Sequence, residues 1–240
     1  MKRRILALLL TAAAVLLSGC GQSPSPAPVS EPSETTEQDP LPESVSEPAL
    51  LPEPEPAPEP EPADFVPVAD YLPQVRVDLR YAGSDNFTGQ TIYDFTDAYL
   101  RYGTVQKLSQ AQKELEDVGY SLLIWDAFRP VEAQFRLWEV CPDPVYVANP
   151  EKGYSSHSRG NTVDVTLTDL AGNAVEMPSG FDDFSPLADR DYSDVTAEAA
   201  AHAHLLEDVM ASCGFRPYSG EWWHFSDTDE YPVEETFSPD

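Results

Sequence analysis

The chain's four histidines fall at positions 157, 202, 204 and 224, and His157 and His224 stand in stretches whose carboxylates could join them in a site. His157 sits in Ser155-Ser156-His157-Ser158-Arg159-Gly160, and Asp164 follows seven residues later at the start of an apolar stretch. His224 follows Glu221 by three. Two imidazoles, one carboxylate and a second carboxylate nearby are what a hydrolytic zinc site requires. Three protein ligands hold the ion, an open position takes water, and the spare carboxylate moves protons. Neutral imidazole suits zinc, and such a site needs no cysteine. Asp164, between Val163 and Val165, reads as an inward-facing carboxylate, which is costly in a core unless paired or metal-bound. His202 and His204 lie two positions apart on a helical stretch, share no face, and are read as structural.

Spacing permits this site without requiring it. Residues three apart on an extended strand point to opposite faces, so Glu221 and His224 converge only if a turn or bulge intervenes. Gly220, directly before Glu221, is where a kink is expected. His157 lies in a Ser/Gly-rich loop that can bend back toward Asp164.

The elements that must carry these residues follow from periodicity. Val105, Leu108, Ala111, Leu115 and Val118 recur at helical spacing, with Gly119 as the stop. Residues 120–125 read as a buried strand emerging at Asp126, and 130–140 as a helix with Pro130 in its first turn. Residues 163–167 alternate with β-branched side chains and read as a strand. Residues 196–213 read as a helix with Thr196 as N-cap and Gly214 as the stop, and 221–225 as a short aromatic strand. Without a strict βαβ rhythm, this is an α+β fold: a small mixed or antiparallel sheet packed with helices, with the zinc site at the sheet.

Composition narrows the function further. With 42 acidic residues against 14 Lys and Arg, a net charge of −28, the chain lacks the basic face that nucleic acid or anionic lipid would need. At 41% hydrophobic and 10% aromatic it can build a core. Three cysteines, Cys20, Cys141 and Cys213, are too few for a disulfide framework or a Cys-based zinc finger, and Cys141 and Cys213 are either a disulfide or two thiols.

The N-terminus reads as an export signal. Lys2-Arg3-Arg4 precedes an apolar run at 5–17, shorter than the roughly 20 residues a membrane-spanning helix needs. The run closes on Leu17-Ser18-Gly19-Cys20, which resembles the bacterial lipobox. That resemblance implies lipidation of Cys20 as the first mature residue, and a protein held outside the cytoplasm at the cell membrane by its lipid anchor only. The organisation expected is a signal peptide at 1–19, the lipidated Cys and a Pro/Glu-rich disordered tether at 20–63, and one folded domain at 64–240. Residues 22–63 hold 13 of the 24 prolines and 10 acids with no Lys or Arg, so part of the negative charge belongs to an extended spacer rather than to a substrate site.

Ser155-x-His157-x-x-Gly160-x-x-x-Asp164 together with Glu221-Trp222-Trp223-His224 resembles the zinc D,D-peptidases of the M15 family, nearest to the VanX-type D-Ala-D-Ala dipeptidases. Asp85-Asn86-Phe87-Thr88-Gly89 after Tyr81, Trp125-Asp126-Ala127-Phe128-Arg129-Pro130 and Phe181-Asp182 agree, so the likeness runs from about residue 78 to about residue 231. The resemblance implies that His157, Asp164 and His224 hold one Zn2+ and that Glu221 is the general base and acid. It makes Arg129 the residue that polarises the scissile carbonyl and steadies the oxyanion. Ser155, Tyr81 and Asp182 are implied to shape the pocket or hold the substrate's ends, Asp182 being the natural partner of a free ammonium.

The activity so implied is hydrolysis of D-alanyl-D-alanine to two D-alanines. The alternative within the enzyme class is a D,D-carboxypeptidase acting on peptidoglycan stem peptides. From another class, a non-catalytic wall-binding module is disfavoured by the intact ligand set and Glu221. Two departures stand out. Thr162 replaces the Ala usual at that position, adding bulk and a hydroxyl beside the metal. The connection from Pro130 to Ser155 is shorter than in the dipeptidases, and a trimmed roof there would admit longer peptides.

Overall fold

After a short β1 (Phe65–Pro67), α1 (Val68–Tyr71) and β2 (Arg76–Val77), the chain makes a long excursion before β3 (Tyr99–Arg101). The computed structural model describes residues 58–239, so the signal stretch, Cys20 and the tether up to residue 57 lie outside the described residues. β3 runs straight into α2 (Tyr102–Asp117), whose Val105, Leu108, Ala111 and Leu115 are buried on one face, as their spacing required. Gly119, at φ +94°, then turns the chain into β4 (Tyr120–Asp126). α3 (Val131–Val140) starts one residue after Pro130, which caps the helix rather than entering it.

β5 (Thr162–Asp169) is buried along seven of its eight residues, so it must lie inside the sheet with both faces covered. α4 (Ala197–Ser212) opens on Thr196, whose hydroxyl accepts the Ala199 amide at 3.1 Å. Gly214, at φ +89°, leads into β6 (Phe215–Tyr218) and then β7 (Glu221–Asp227). The five-stranded sheet has the order β2-β4-β5-β7-β6, parallel only between β2 and β4, and β1 pairs with β3 in a separate antiparallel ribbon. The sheet is mixed and the fold is α+β, as expected. β6 is an edge strand, the place in a sheet where a proline such as Pro217 is tolerated.

α2 packs on β4, α4 packs on β6, and the two helices touch each other, giving the sheet its helical layer. Among the described residues no helix is long and apolar enough to cross a membrane. Cys141 and Cys213 are free thiols, so of the two states left open by the sequence the disulfide is not formed. His202 bonds to the Glu176 carbonyl and to Tyr120, and His204 packs edge-on against Tyr192, both structural roles.

Candidate active site

Asp126 on β4, Asp164 on β5 and His224 on β7 are register partners across three adjacent strands. The sheet therefore brings together three groups that lie 38 and 60 positions apart in the chain. Trp125 is an extra residue in β4, and the bulge it makes sets Asp126 opposite Asp164. His157 arrives from a 3-10 turn, Ser156–Arg159, just before β5. Ser155 caps that turn, its hydroxyl accepting the His157 amide at 3.3 Å. Gly160 ends it at φ +73°, where a Cβ would lie 2.4 Å from the Phe65 ring, so only glycine fits.

One ligand atom from each of His157, Asp164 and His224 falls within 4.8 Å of the others. His157 Nε2 lies 3.3 Å from His224 Nδ1 and 3.4 Å from Asp164 Oδ2, and His224 Nδ1 lies 3.0 Å from Asp164 Oδ1. A tetrahedral ion with bonds of about 2.0–2.1 Å sets neighbouring ligand atoms roughly 3.3 Å apart, the separation of the two imidazole nitrogens, and each imidazole has an Asp164 oxygen at a similar distance, Oδ2 for His157 and Oδ1 for His224. His157 Nδ1 faces the Ala127 carbonyl at 2.8 Å, and a carbonyl only accepts, so the proton sits on Nδ1 and Nε2 offers its lone pair inward. His224 Nε2 is 3.4 Å from the Ser156 hydroxyl, which leaves Nδ1 to face the cluster. Asp164 Oδ1 is buried and has only His224 Nδ1 near it, at 3.0 Å and without hydrogen-bond geometry, a state that a cation between the two would relieve. The three side chains fit zinc.

Protonation follows the same logic. Burial alone would lower the His157 pKa, but the Asp164 and Asp126 carboxylates outweigh it and raise it. Burial alone would raise Asp164, and the two imidazoles instead hold its carboxyl well below the usual carboxylate range.

Glu221 and His224 do converge, with Glu221 Oε2 3.5 Å from His224 Nδ1. The cause is not a kink at Gly220. The β6–β7 register jumps from Pro217 opposite Phe225 to Tyr218 opposite Glu221, so residues 222–224 have no partner on β6. This wide bulge carries Glu221 to His224's side and leaves Trp222 and Trp223 both buried. Burial pushes the Glu221 carboxyl up and the Asp164 charge adds to it, the direction that suits a group trading protons near neutrality.

Arg129 follows β4 and is held almost immobile. Its Nη2 donates to Asp126 Oδ2 at 2.5 Å, Nη1 to Gln134 Oε1 at 3.1 Å and Nε to the Tyr93 hydroxyl at 3.2 Å. Its guanidinium carbon stands 5.1 Å from the centre of the Tyr81 ring. Burial works against the charge, but Asp126 more than compensates and the Arg129 pKa is raised. The Arg129 amide also donates to the His157 carbonyl at 3.3 Å, tying this residue to the ligand turn.

Tyr81 donates from its hydroxyl to Asp182 Oδ2 at 2.7 Å. Asp182 adopts φ 53°, a left-handed conformation uncommon outside glycine and concentrated at functional sites. Burial pushes its carboxyl up to about 7, against the Tyr81 hydrogen bond and with help from the Asp164 charge. Asp182, Tyr81 and Arg129 are thus joined by direct contacts. Ser155 reaches the site through the His157 turn. Thr162 bonds its hydroxyl to Ser226, its partner on β7, at 2.9 Å.

The sequence reading missed Asp126, Tyr93 and Gln134 as the cradle of Arg129. Asp126 also receives the Tyr93 hydroxyl at 2.7 Å and the Ala127 amide at 2.9 Å while fully buried. A carboxylate closing the apolar run 122–125 was the available signal, because a buried charge must be paired. Gln134 and Tyr93 carried no comparable mark.

A family model described as Peptidase_M15, D-ala-D-ala dipeptidase, matches residues 61–239. The D-alanyl-D-alanine dipeptidase of Escherichia coli (strain K12) is 38% identical over 153 residues, covering 64% of this chain and 79% of that protein. The protein of the same name from Enterococcus faecalis is 36% identical over 179 residues, covering 66% of this chain and 89% of its own. The solved structure titled VanYB in complex with D-Alanine-D-Alanine covers 55% of this chain and 73% of its own at 14% identity and a TM-score of 0.37, too low to carry an argument.

Proposed function

The chain belongs to the M15 peptidase family, and from that premise we propose that it hydrolyses D-alanyl-D-alanine to two D-alanines, using one zinc ion held by His157, Asp164 and His224. The observation that carries the proposal is that one ligand atom from each of His157, Asp164 and His224 falls within 4.8 Å of the others, with Glu221 Oε2 3.5 Å from His224 Nδ1.

Bound zinc supplies a Lewis acid that polarises a carbonyl and lets water ionise near neutral pH. Glu221, with its raised pKa, accepts the proton from the attacking water and returns it to the leaving amine. Arg129 presents a fixed positive charge to the oxygen of the scissile carbonyl as negative charge develops there. A preorganised group needs no rearrangement at that moment. Asp182, oriented by Tyr81, receives the free ammonium of the dipeptide, and that cation offsets the cost of ionising a buried carboxyl. Ser155 shapes the pocket wall by capping the His157 turn.

The zwitterionic dipeptide carries no net charge, so the chain's overall acidity does not repel it at long range. The basic start and lipobox-like stretch ending in Cys20 support export and a lipid anchor at the outer face of the cell membrane, where peptidoglycan fragments are met.

Incubating the protein with D-Ala-D-Ala and, separately, with a pentapeptide ending in D-Ala-D-Ala tests the assignment by release of free D-Ala. Faster turnover of the dipeptide is expected. Release from the pentapeptide alone would reassign the protein as a D,D-carboxypeptidase, and no release from either with zinc present would refute the proposal.

A further inference from the structure

The wide bulge in β7 is what sets Glu221 beside His224, and a bulge of this kind takes backbone carbonyls off the ladder. Carbonyls so freed take donors from side chains or from water. Backbone on both strands at this bulge meets one side chain. Arg190 Nε donates to the Tyr218 carbonyl at 2.8 Å, and its Nη2 donates to the His224 carbonyl at 3.1 Å. Tyr218 is the residue paired with Glu221, so the guanidinium fork bridges the strand opposite Glu221 to the backbone of His224 itself.

The fork is in turn immobilised. Arg190 Nη1 donates to Glu207 Oε2 at 3.1 Å and lies 3.4 Å from the Tyr192 hydroxyl, and the guanidinium carbon stands 4.6 Å from the centre of the Phe225 ring. The side chain is only 9% exposed. Tyr192 sits at φ 55°, a second left-handed residue in the loop that delivers Arg190.

We propose that Arg190 is a positioning residue for the metal centre. By tying the β6 backbone opposite Glu221 to the His224 backbone within the β7 bulge, it fixes the distance between Glu221 and His224, and with it zinc affinity and proton transfer. A planar fork with several donors is needed, because a single ammonium cannot span the two carbonyls while keeping its carboxylate. The inference rests on the reading that His157, Asp164 and His224 hold zinc, and it is tested by a quantity that needs no turnover.

Arg190→Met and Arg190→Lys are made in the full chain. Zinc affinity is read by competition with a chromophoric chelator, and kcat and KM for D-Ala-D-Ala are read at saturating zinc. Loss of a group that orients a ligand weakens metal binding or activity by about 10–100-fold. The zinc dissociation constant of Arg190→Met is expected to rise by that factor, kcat to fall at least about tenfold, and KM to stay within about twofold, with Arg190→Lys intermediate. A zinc dissociation constant within about twofold of the parent in both variants, even with a lowered melting temperature, overturns the proposal. If Arg190→Met does not fold, Arg190→Lys decides by the same measure. Should the parent bind zinc but leave D-Ala-D-Ala intact, the substrate assignment fails while the chelator data still decide the role of Arg190.

Discussion

Tyr81 and Asp182, 101 residues apart in the chain, meet in a 2.7 Å hydrogen bond in which the phenol donates and a strained, left-handed aspartate accepts. Neither residue belongs to the His157–Asp164–His224 cluster, and in the proposed mechanism the pair receives the substrate's ammonium. Asp182→Ala removes a charge-assisted contact of about 1.5–3 kcal/mol, so KM for D-Ala-D-Ala is expected to rise about 10- to 100-fold with kcat changed far less. Tyr81→Phe removes only the orienting bond, and a rise in KM of about two- to tenfold is expected. Steady-state kinetics on both variants checks the order.

The pKa of Asp182, pushed up to about 7, has a sign that can be worked out. The anchor binds an ammonium only when ionised, so KM should fall as pH rises through about 7, and that limb should be absent in Asp182→Asn. Stability runs the other way. Between the ordinary carboxyl pKa and about 7 the folded protein holds a proton that the unfolded chain has lost, so folding weakens as pH rises through this window. In metal-free protein Asp182→Asn should therefore melt above the parent at pH 8 and close to it at pH 4. Thermal melts at the two pH values measure the difference.

Arg129 is a fixed charge rather than a mobile one, because Asp126, Gln134 and Tyr93 each take one of its donors. Lysine keeps the charge and loses the fork. Arg129→Lys should lower kcat by about 10²- to 10³-fold, the range for removing one preorganised oxyanion donor, with a smaller effect on KM. Circular dichroism and zinc content near parental values would show that the loss is local.

Gly160 closes the His157 turn at φ +73° against the Phe65 ring. Gly160→Ala is strained in both backbone and packing, so it should destabilise the protein by more than about 1 kcal/mol, a drop of at least about 2–4 °C in melting temperature. Because His157 lies three residues earlier, zinc affinity should fall as well. A scanning-calorimetry trace and a zinc titration read the two effects.

How much of this was legible in sequence differs from residue to residue. The helix carrying Leu108 and Leu115, the Thr196 cap and the strand holding Asp164 are local in origin, set by spacing and turn chemistry, and they stand where spacing put them. The approach of Glu221 to His224 was legible only as a condition, that some bulge must exist. Its position depends on how β6 pairs with β7, a long-range register that neither strand's sequence encodes alone. The Arg129 cradle was illegible for a related reason: Tyr93 and Gln134 reach it from segments 36 residues before and 5 residues after, with no pattern linking them. Asp182 was placed by resemblance, and its left-handed backbone and tie to Tyr81 are visible only in three dimensions.

The most direct test of the central claim is anomalous diffraction at the zinc edge from crystals of the zinc-loaded protein. The account requires one strong peak lying about 2.0–2.2 Å from His157 Nε2, from a carboxylate oxygen of Asp164 and from His224 Nδ1. A peak elsewhere, or none between these three side chains, would contradict it.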